Sequence, residues 1–181
     1  MIRVINNTLN QLGESPIWHP KENKLYWLDC FKTAIYCWDP TTTQTEVYPI
    51  PEYLGAIAYR HSGGFMATTT LGIATIELDP IKITPWITIL DSQNSLRMNE
   101  AKCDRKGRLW AGSAVLQPQD SHAGLYCIDA AGHAEQKQDG LKISNGLGQS
   151  PDNRTFYHND SLAGIIYCYD FDLESGQISR R

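Results

Sequence analysis

The 181-residue sequence contains no long apolar run and no excess of positive charge. A helix that crosses a bilayer needs about 18 or more consecutive apolar residues, so we expect no membrane span. Sixteen Lys and Arg stand against twenty Asp and Glu, which gives a formal net charge of −4. Because surfaces that bind nucleic acid or anionic lipid are basic, we expect neither a nucleic acid nor a membrane as partner.

Paired cysteine motifs and a secretory leader are missing as well. The five cysteines are odd in number, and none of them belongs to a Cys-x-x-Cys pair. The opening segment, MIRVINNTLNQLGESP, lacks the basic stretch and the apolar stretch that mark a signal peptide. We therefore expect reduced thiols and a cytoplasmic location.

Sustained helical periodicity is also absent. The sequence instead shows short alternating or apolar runs that are separated by turn-forming segments such as HPKENK, RHSGG, DRKGR and SPDNR. Short runs of this kind, divided by Gly, Pro, Asn and Asp, are typical of strands joined by tight hairpins. The pattern predicts an all-β chain.

This strand pattern repeats four times. One strand of each repeat reads KLYWLD, GFMATT, RLWAGS or TFYHND, and the strand after it ends in an aspartate. The aspartates follow one another at intervals of 40, 50 and 41 residues and are Asp39, Asp79, Asp129 and Asp170. A period of about 40–50 residues is typical of the blade of a β-propeller. We predict about four blades, with approximate bounds 11–52, 53–94, 95–140 and 141–181, and a lone closing strand at 2–6.

Three cysteines occupy the same place in three of the repeats: Cys37, Cys127 and Cys168. A position that recurs once per blade is typical of packing within a sheet, where a free cysteine behaves as a small apolar residue. We therefore predict a structural role for these thiols.

The repeats also align one polar position at the start of each inner strand, the strand nearest to the propeller axis. This position holds Glu14, Gly55, Asn99 and Asn145. Glu14 and Asn145 are related by a gap-free offset of 131 residues. A carboxylate and two carboxamides offer oxygen ligands to calcium, magnesium or, less selectively, zinc. The pattern alone leaves open that these groups only solvate a water-filled channel.

The segments around these positions are GESPIWHPKENKLYWLD, RMNEAKCDRKGRLWAGS and ISNGLGQSPDNRTFYHNDS. They resemble the diagnostic segments of the family of senescence marker protein, gluconolactonase and regucalcin, along essentially the whole chain. The resemblance implies a six-bladed propeller that binds one divalent metal, calcium or zinc, with magnesium and manganese as alternatives. It implies that Glu14 and Asn145 are metal ligands and that Arg97 and Asn99 bind a sugar lactone, which the protein hydrolyses.

Two departures from the family pattern concern the site. The family has a third ligand, an aspartate of the fifth blade that is assigned as the general base. The repeat period would place it near residue 190, roughly, whereas the sequence ends at Arg181. We therefore expect no catalytic residue within these 181 residues, and weak activity at best. The family also usually reads Arg-x-Asn-Asp-Gly where this sequence reads RMNEA from Arg97.

Three functions stay open: a lactonase, a calcium-binding regulator without turnover, and an inactive truncated propeller. Arg97 and Asn99 favour the lactonase, because a simple ion buffer needs no pair of sugar-binding side chains. The expected partner is a small sugar lactone, and open blade edges predict self-association. His158 is expected to be a surface or packing histidine, and its alternative role is an acid at the channel mouth.

Overall fold

The computed structural model describes residues 4–93 and 95–179. All regular structure in these ranges is β: sixteen strands form four antiparallel sheets of four strands each. Among the described residues, none belongs to a helix that is long and apolar enough to cross a membrane.

Each sheet is built from four consecutive strands. The first sheet contains β1 (Gly13–His19), β2 (Lys24–Asp29), β3 (Ala34–Trp38) and β4 (Thr45–Pro49). The second contains β5 (Ala56–Tyr59), β6 (Phe65–Thr68), β7 (Gly72–Leu78) and β8 (Ile81–Thr88). The third contains β9 (Leu96–Cys103), β10 (Leu109–Val115), β11 (Ala123–Ile128) and β12 (Ala134–Leu141). The fourth contains β13 (Ser144–Gln149), β14 (Thr155–Asp160), β15 (Ile165–Asp172) and β16 (Gln177–Ser179).

The four sheets are arranged as blades of a β-propeller, which we number 1 to 4 in chain order. Strands pair only with their sequence neighbours in each sheet. The first strands β1, β5, β9 and β13 contact one another in that order, so they are the inner strands around a common axis. This arrangement confirms the fold class that the repeats predict.

The predicted closing strand at residues 2–6 stays a prediction. Residues 2 and 3 lie outside the described residues, and residues 4–6 carry no strand. The structure therefore gives no partner strand to this segment within the described part of the chain.

Apolar side chains fill the spaces between adjacent blades. Blades 1 and 2 enclose a cluster that includes Tyr26 and Phe65, whose ring centroids are 4.9 Å apart. Blades 3 and 4 enclose a larger cluster around Trp110, which contacts Phe156 at 4.4 Å and Phe171 at 5.8 Å between centroids. These aromatic residues lie on alternate positions of their strands, as a sheet with one buried face requires.

All five cysteines are free thiols. Cys37 and Cys127 are buried, in agreement with a packing role. Cys168 is exposed instead, because it lies on the outer face of blade 4, which no other described sheet covers. The repeat position is therefore buried only where a following blade packs against it.

Side-chain hydrogen bonds join neighbouring blades close to the axis. Between blades 1 and 2, Ser15 Oγ accepts a hydrogen bond from the Ile57 backbone N–H at 2.8 Å. Between blades 2 and 3, Thr68 Oγ1 donates to the backbone oxygen of Asn99 at 2.6 Å. Between blades 3 and 4, Asn99 Nδ2 donates to the backbone oxygen of Ser144 at 2.9 Å. Asn99 is thus held by the blades on both of its sides.

Candidate functional site

Three of the four inner strands contain a bulge at the predicted site position. In β1 the pairing register shifts between Glu14 and Ile17, and in β13 it shifts between Asn145 and Gly148. In β9 the shift falls in the stretch that includes Asn99. A bulge leaves a residue unpaired and re-aims the side chains beside it, and bulges are frequent next to active sites. The predicted site residues therefore lie where the strands depart from regular alternation.

The residue after each predicted metal ligand has a left-handed backbone. Ser15, after Glu14, has φ of 53°, and Gly146, after Asn145, has φ of 59°. This conformation costs a residue other than glycine about 1–2 kcal/mol. At position 146 glycine is also needed for space, because a Cβ would lie 2.5 Å from Asn159 Nδ2. The two strands thus share a strained local geometry at corresponding positions.

Two buried aspartates hold the chain at the entrance to these strands. Asp29 accepts hydrogen bonds from the backbone N–H groups of residues 11–12 at 2.8 and 3.2 Å. Asp160 accepts the corresponding bonds from residues 142–143 at 2.9 and 3.0 Å. Both partners are shifted by the same 131 residues. Sequence reasoning aligned the two aspartates but did not assign them this role.

Arg97 and Asn99 are in direct contact. Arg97 Nη1 donates a hydrogen bond to Asn99 Oδ1 at 2.6 Å and another to the Tyr53 hydroxyl. The guanidinium carbon also lies 4.9 Å from the centroid of the Tyr53 ring. Burial raises the pKa of Tyr53 to about 12, although the Arg97 charge opposes this shift.

The positive charge of Arg97 has no carboxylate partner within 4 Å in the described parts of the chain. Its hydrogen-bond acceptors are neutral oxygens, which fix the guanidinium without cancelling its charge. A rim salt bridge, the alternative role for this side chain, is therefore not what holds it in place. An uncompensated guanidinium of this kind can donate to a further oxygen atom of a ligand.

The carboxamide of Asn99 is oriented by its neighbours. Its Oδ1 accepts from Arg97, and its Nδ2 donates to the backbone oxygen of Ser144. A carboxamide has two N–H groups and two oxygen lone pairs, so one of each stays available for a ligand hydroxyl. The side chain is thus fixed in one orientation and can still bind a sugar.

A cavity of about 930 Å³ runs along the inner strands of blades 1 to 3. Glu14 and Glu100 line it, whereas Arg97, Asn99 and Asn145 are not among its lining residues. Glu14 lies near them, because the charges of Glu14 and Arg97 both act on Tyr53. The volume lies within the range of about 300–1,000 Å³ that is typical of small-molecule sites.

Glu100 links this cavity to the inner strand of blade 4. Its Oε2 accepts a hydrogen bond from the Leu147 backbone N–H at 3.3 Å. Burial raises the pKa of the Glu100 carboxyl, and the negative charge of Glu14 adds to this rise. The carboxylate that replaces the family's usual aspartate thus reaches the bulge that carries Asn145.

The donor set suits an oxygen-preferring cation only in part. Glu14 offers a carboxylate and Asn145 a carboxamide oxygen, both of which are ligands for calcium. Across residues 4–93 and 95–179, however, no three His, Cys, Asp or Glu side chains converge into a metal-binding group. Any ion held by Glu14 and Asn145 would need further ligands.

The chain matches the model of the SMP-30/gluconolactonase/LRE-like region over residues 12–181. It is 30% identical to the regucalcin of Danio rerio over 174 residues, which cover 95% of this chain and 59% of that protein. It is 32% identical to the 6-deoxy-6-sulfogluconolactonase of Pseudomonas putida over 171 residues, 94% of this chain and 58% of that protein. The chain therefore spans a little under three fifths of these relatives.

Solved structures of similar fold include a calcium-binding protein, regucalcin, from Agrobacterium tumefaciens. It superposes with a TM-score of 0.90 at 19% identity and covers 99% of this chain and 60% of its own. A gluconolactonase from Xanthomonas campestris superposes with a TM-score of 0.78 at 17% identity, covering 95% and 62%. With the blade arrangement and the family match over residues 12–181, these findings show that the chain belongs to the SMP-30/gluconolactonase/LRE-like family.

Proposed function

We propose that this chain is part of a metal-dependent hydrolase of a sugar lactone. In this proposal Glu14 and Asn145 are ligands of one divalent ion, calcium or zinc, and Arg97 and Asn99 bind the substrate. The observation that carries it is the Arg97 guanidinium, which is fixed by neutral oxygens and keeps its charge beside Asn99. The similarity to a sulfogluconolactonase and to a gluconolactonase supports the substrate class.

The chemistry of a lactone explains why these residues suit the task. Hydrolysis adds water to an ester carbonyl, and negative charge develops on the carbonyl oxygen. A divalent ion at Glu14 and Asn145 supplies polarisation of the carbonyl and a lower pKa for water. Arg97 donates hydrogen bonds to the ring or carbonyl oxygen of the lactone, and its neutral surroundings leave this charge at full strength.

Asn99 completes substrate binding in this proposal. Its free N–H and lone pair suit a sugar hydroxyl, which both donates and accepts hydrogen bonds. The cavity beside Glu14 has room for the remainder of a sugar ring. No residue of this chain is proposed as the general base, which the family places in a fifth blade.

A calcium-binding protein without turnover is the second candidate, because Glu14 and Asn145 suit it equally well. Relatives named regucalcin support this candidate. Arg97 separates the two functions, since a protein that only binds an ion has no use for a fixed guanidinium beside a carboxamide. The absence of paired cysteines supports a cytoplasmic location for either function.

A chimaera tests both candidates. Residues 1–181 are continued by the part of the Danio rerio regucalcin that lies beyond the matched region, and gluconolactone hydrolysis is followed in a pH-stat with calcium or zinc. We expect metal-dependent turnover that falls by at least about 100-fold in Glu14→Gln, since one of few ligands is lost. Glu174→Gln, which alters an exposed carboxylate of blade 4, should leave turnover unchanged.

The outcomes of this assay are distinct. Calcium binding without turnover would favour the regulator over the lactonase. Equal turnover of the chimaera and its Glu14→Gln variant would show that Glu14 is not a metal ligand. The 181-residue chain by itself is expected to show little turnover, because proton transfer by a base contributes typically about 10²–10⁴-fold.

A further inference from the structure

A buried serine–histidine pair lies directly beneath the candidate site. Ser144 Oγ and His158 Nε2 are 2.8 Å apart, and both residues are fully buried. The imidazole stacks on Tyr167, with ring centroids 5.7 Å apart and an angle of 29° between the planes. His158 is thus a packing histidine, but one that forms a short hydrogen bond to an inner-strand residue.

The pair is a polar exception within the repeat. Aligning the four blades places other residues at these two positions: Leu54 with Ala67 in blade 2, and Met98 with Ala111 in blade 3. All four of these side chains are apolar and buried. Burying a hydroxyl and an imidazole instead costs free energy, which only their mutual hydrogen bond offsets. Local choices that disagree with the rest of a fold are frequent at functional sites.

Nucleophilic catalysis by Ser144 does not account for this pair. Its hydroxyl faces Gly112 of blade 3, where an added Cβ would lie 1.9 Å from Ser144 Oγ. No space for a substrate carbonyl exists on that side of the hydroxyl. With both residues fully buried, the pair has no access to a lactone.

The backbone of Ser144 does reach the candidate site. Its carbonyl oxygen accepts the hydrogen bond from Asn99 Nδ2, and the next residue is Asn145. One residue is therefore anchored by its side chain to His158 and orients Asn99 by its main chain. A shift of Ser144 by a few tenths of an ångström would lengthen the bond to Asn99 and move Asn145.

We infer that His158 is a positioning residue: through Ser144 it fixes the Asn99 carboxamide and the strand start that carries Asn145. The link to catalysis rests on the proposed function of Asn99 and Asn145. The geometric link from His158 to the Asn99 carboxamide is independent of that function and can be measured without metal or lactone.

The test follows the side-chain amide of Asn99 in the 181-residue chain by nitrogen-15 NMR, with its signal identified by its loss in Asn99→Ala. In His158→Phe, which keeps a ring against Tyr167 but removes Nε2, hydrogen exchange at Nδ2 should become about tenfold faster. His158→Gln places an amide near the former Nε2 and should restore exchange to within about twofold of wild type.

A second variant and a matched control complete the experiment. Ser144→Ala removes only the hydroxyl and should reproduce the effect of His158→Phe even if that variant does not fold. Ser113→Ala removes another fully buried serine, one that bonds to the Gly124 backbone, and should leave the Asn99 amide unchanged. Wild-type exchange in folded Ser144→Ala or His158→Phe would overturn the inference.

Activity separates this inference from the proposed function. A chimaera without lactonase turnover would contradict the function and leave the amide measurement intact. If the chimaera is active, His158→Phe should raise KM for the lactone, and His158→Gln should restore it. An active chimaera whose KM is the same in His158→Phe would confine the pair to a structural role.

Discussion

A Cβ on Gly55 would lie 2.5 Å from the backbone oxygen of Asn99. The inner strands of blades 2 and 3 therefore approach each other at the axis more closely than any side chain at position 55 would allow. This contact explains why one of the four aligned axial positions holds glycine among polar residues. It also ties the position of Asn99 to a residue that has no side chain.

Gly55→Ala should therefore destabilise the protein and displace Asn99. We expect a loss of about 1–3 kcal/mol in the free energy of unfolding, because the surrounding backbone must shift. Urea denaturation measures this loss. Gly148→Ala is the matched control, since a Cβ at that position meets no atom within 4 Å. Equal stabilities of the two variants would contradict the close approach at Gly55.

Arg97→Lys tests whether the geometry of the guanidinium matters beyond its charge. Lysine keeps the charge but cannot hydrogen-bond to Tyr53, Asn99 and a ligand in one fixed plane. We expect KM for gluconolactone in the active chimaera to rise about tenfold, the equivalent of one lost hydrogen bond. Arg154→Lys, at an exposed turn, serves as control. An unchanged KM would mean that Arg97 does not contact the lactone.

Asp29 predicts a dependence of stability on pH. Burial alone would raise the pKa of this carboxyl, but hydrogen bonds from Gln11, Leu12 and Lys32 outweigh burial and lower the pKa to about 2. A lowered folded-state pKa gives stability that is present above the ordinary value of 3.8 and is lost as pH falls towards 2. The free energy of unfolding should therefore decrease between about pH 4 and pH 2.

The Asp29→Asn variant identifies the source of this decrease. Its free energy of unfolding should be lower than that of wild type at neutral pH, and it should fall less steeply below about pH 4. Glu52→Gln, which alters an exposed carboxylate, should follow the wild-type curve. Parallel acid curves for Asp29→Asn and wild type would show that another carboxylate is responsible.

The outer face of blade 4 predicts self-association. Ile166 is 73% exposed on this face, and Tyr157 and Cys168 are exposed beside it. Exposed apolar patches of this kind are typical of interfaces. We expect the 181-residue chain to form dimers or larger species in light scattering, and Ile166→Lys to reduce them. Leu116→Lys, at an exposed apolar residue of blade 3, should not; equal reduction by both would point to general insolubility.

The fold was accessible from the sequence because a propeller blade is a local structure. Each strand pairs with its sequence neighbours, so short runs, turns and a period of about 40–50 residues carry most of the information. The offset of 131 residues also related Glu14 to Asn145, and the structure repeats this relation in the bulges and in Asp29 and Asp160. A pattern that recurs in the sequence thus recurs in the geometry.

The parts that the sequence did not reveal depend on the path of the backbone. Aligning the repeats shows His158 as a polar residue among apolar ones, but not that its partner is Ser144, because a bulge determines which side chains face each other. The contact of Asn99 with the Ser144 carbonyl crosses from one blade to the next. The number of residues between two strands does not encode such a contact.

Pairing between consecutive strands has a consequence for the way the chain loses its structure. Sheets that contact only the sheet before and the sheet after behave as a linear array, in which each unit is stabilised by its nearest neighbours. The end units have one such neighbour and unfold at lower cost than the middle ones. Asn99, in the third of four units and bonded on both sides, belongs to the segment that should open last.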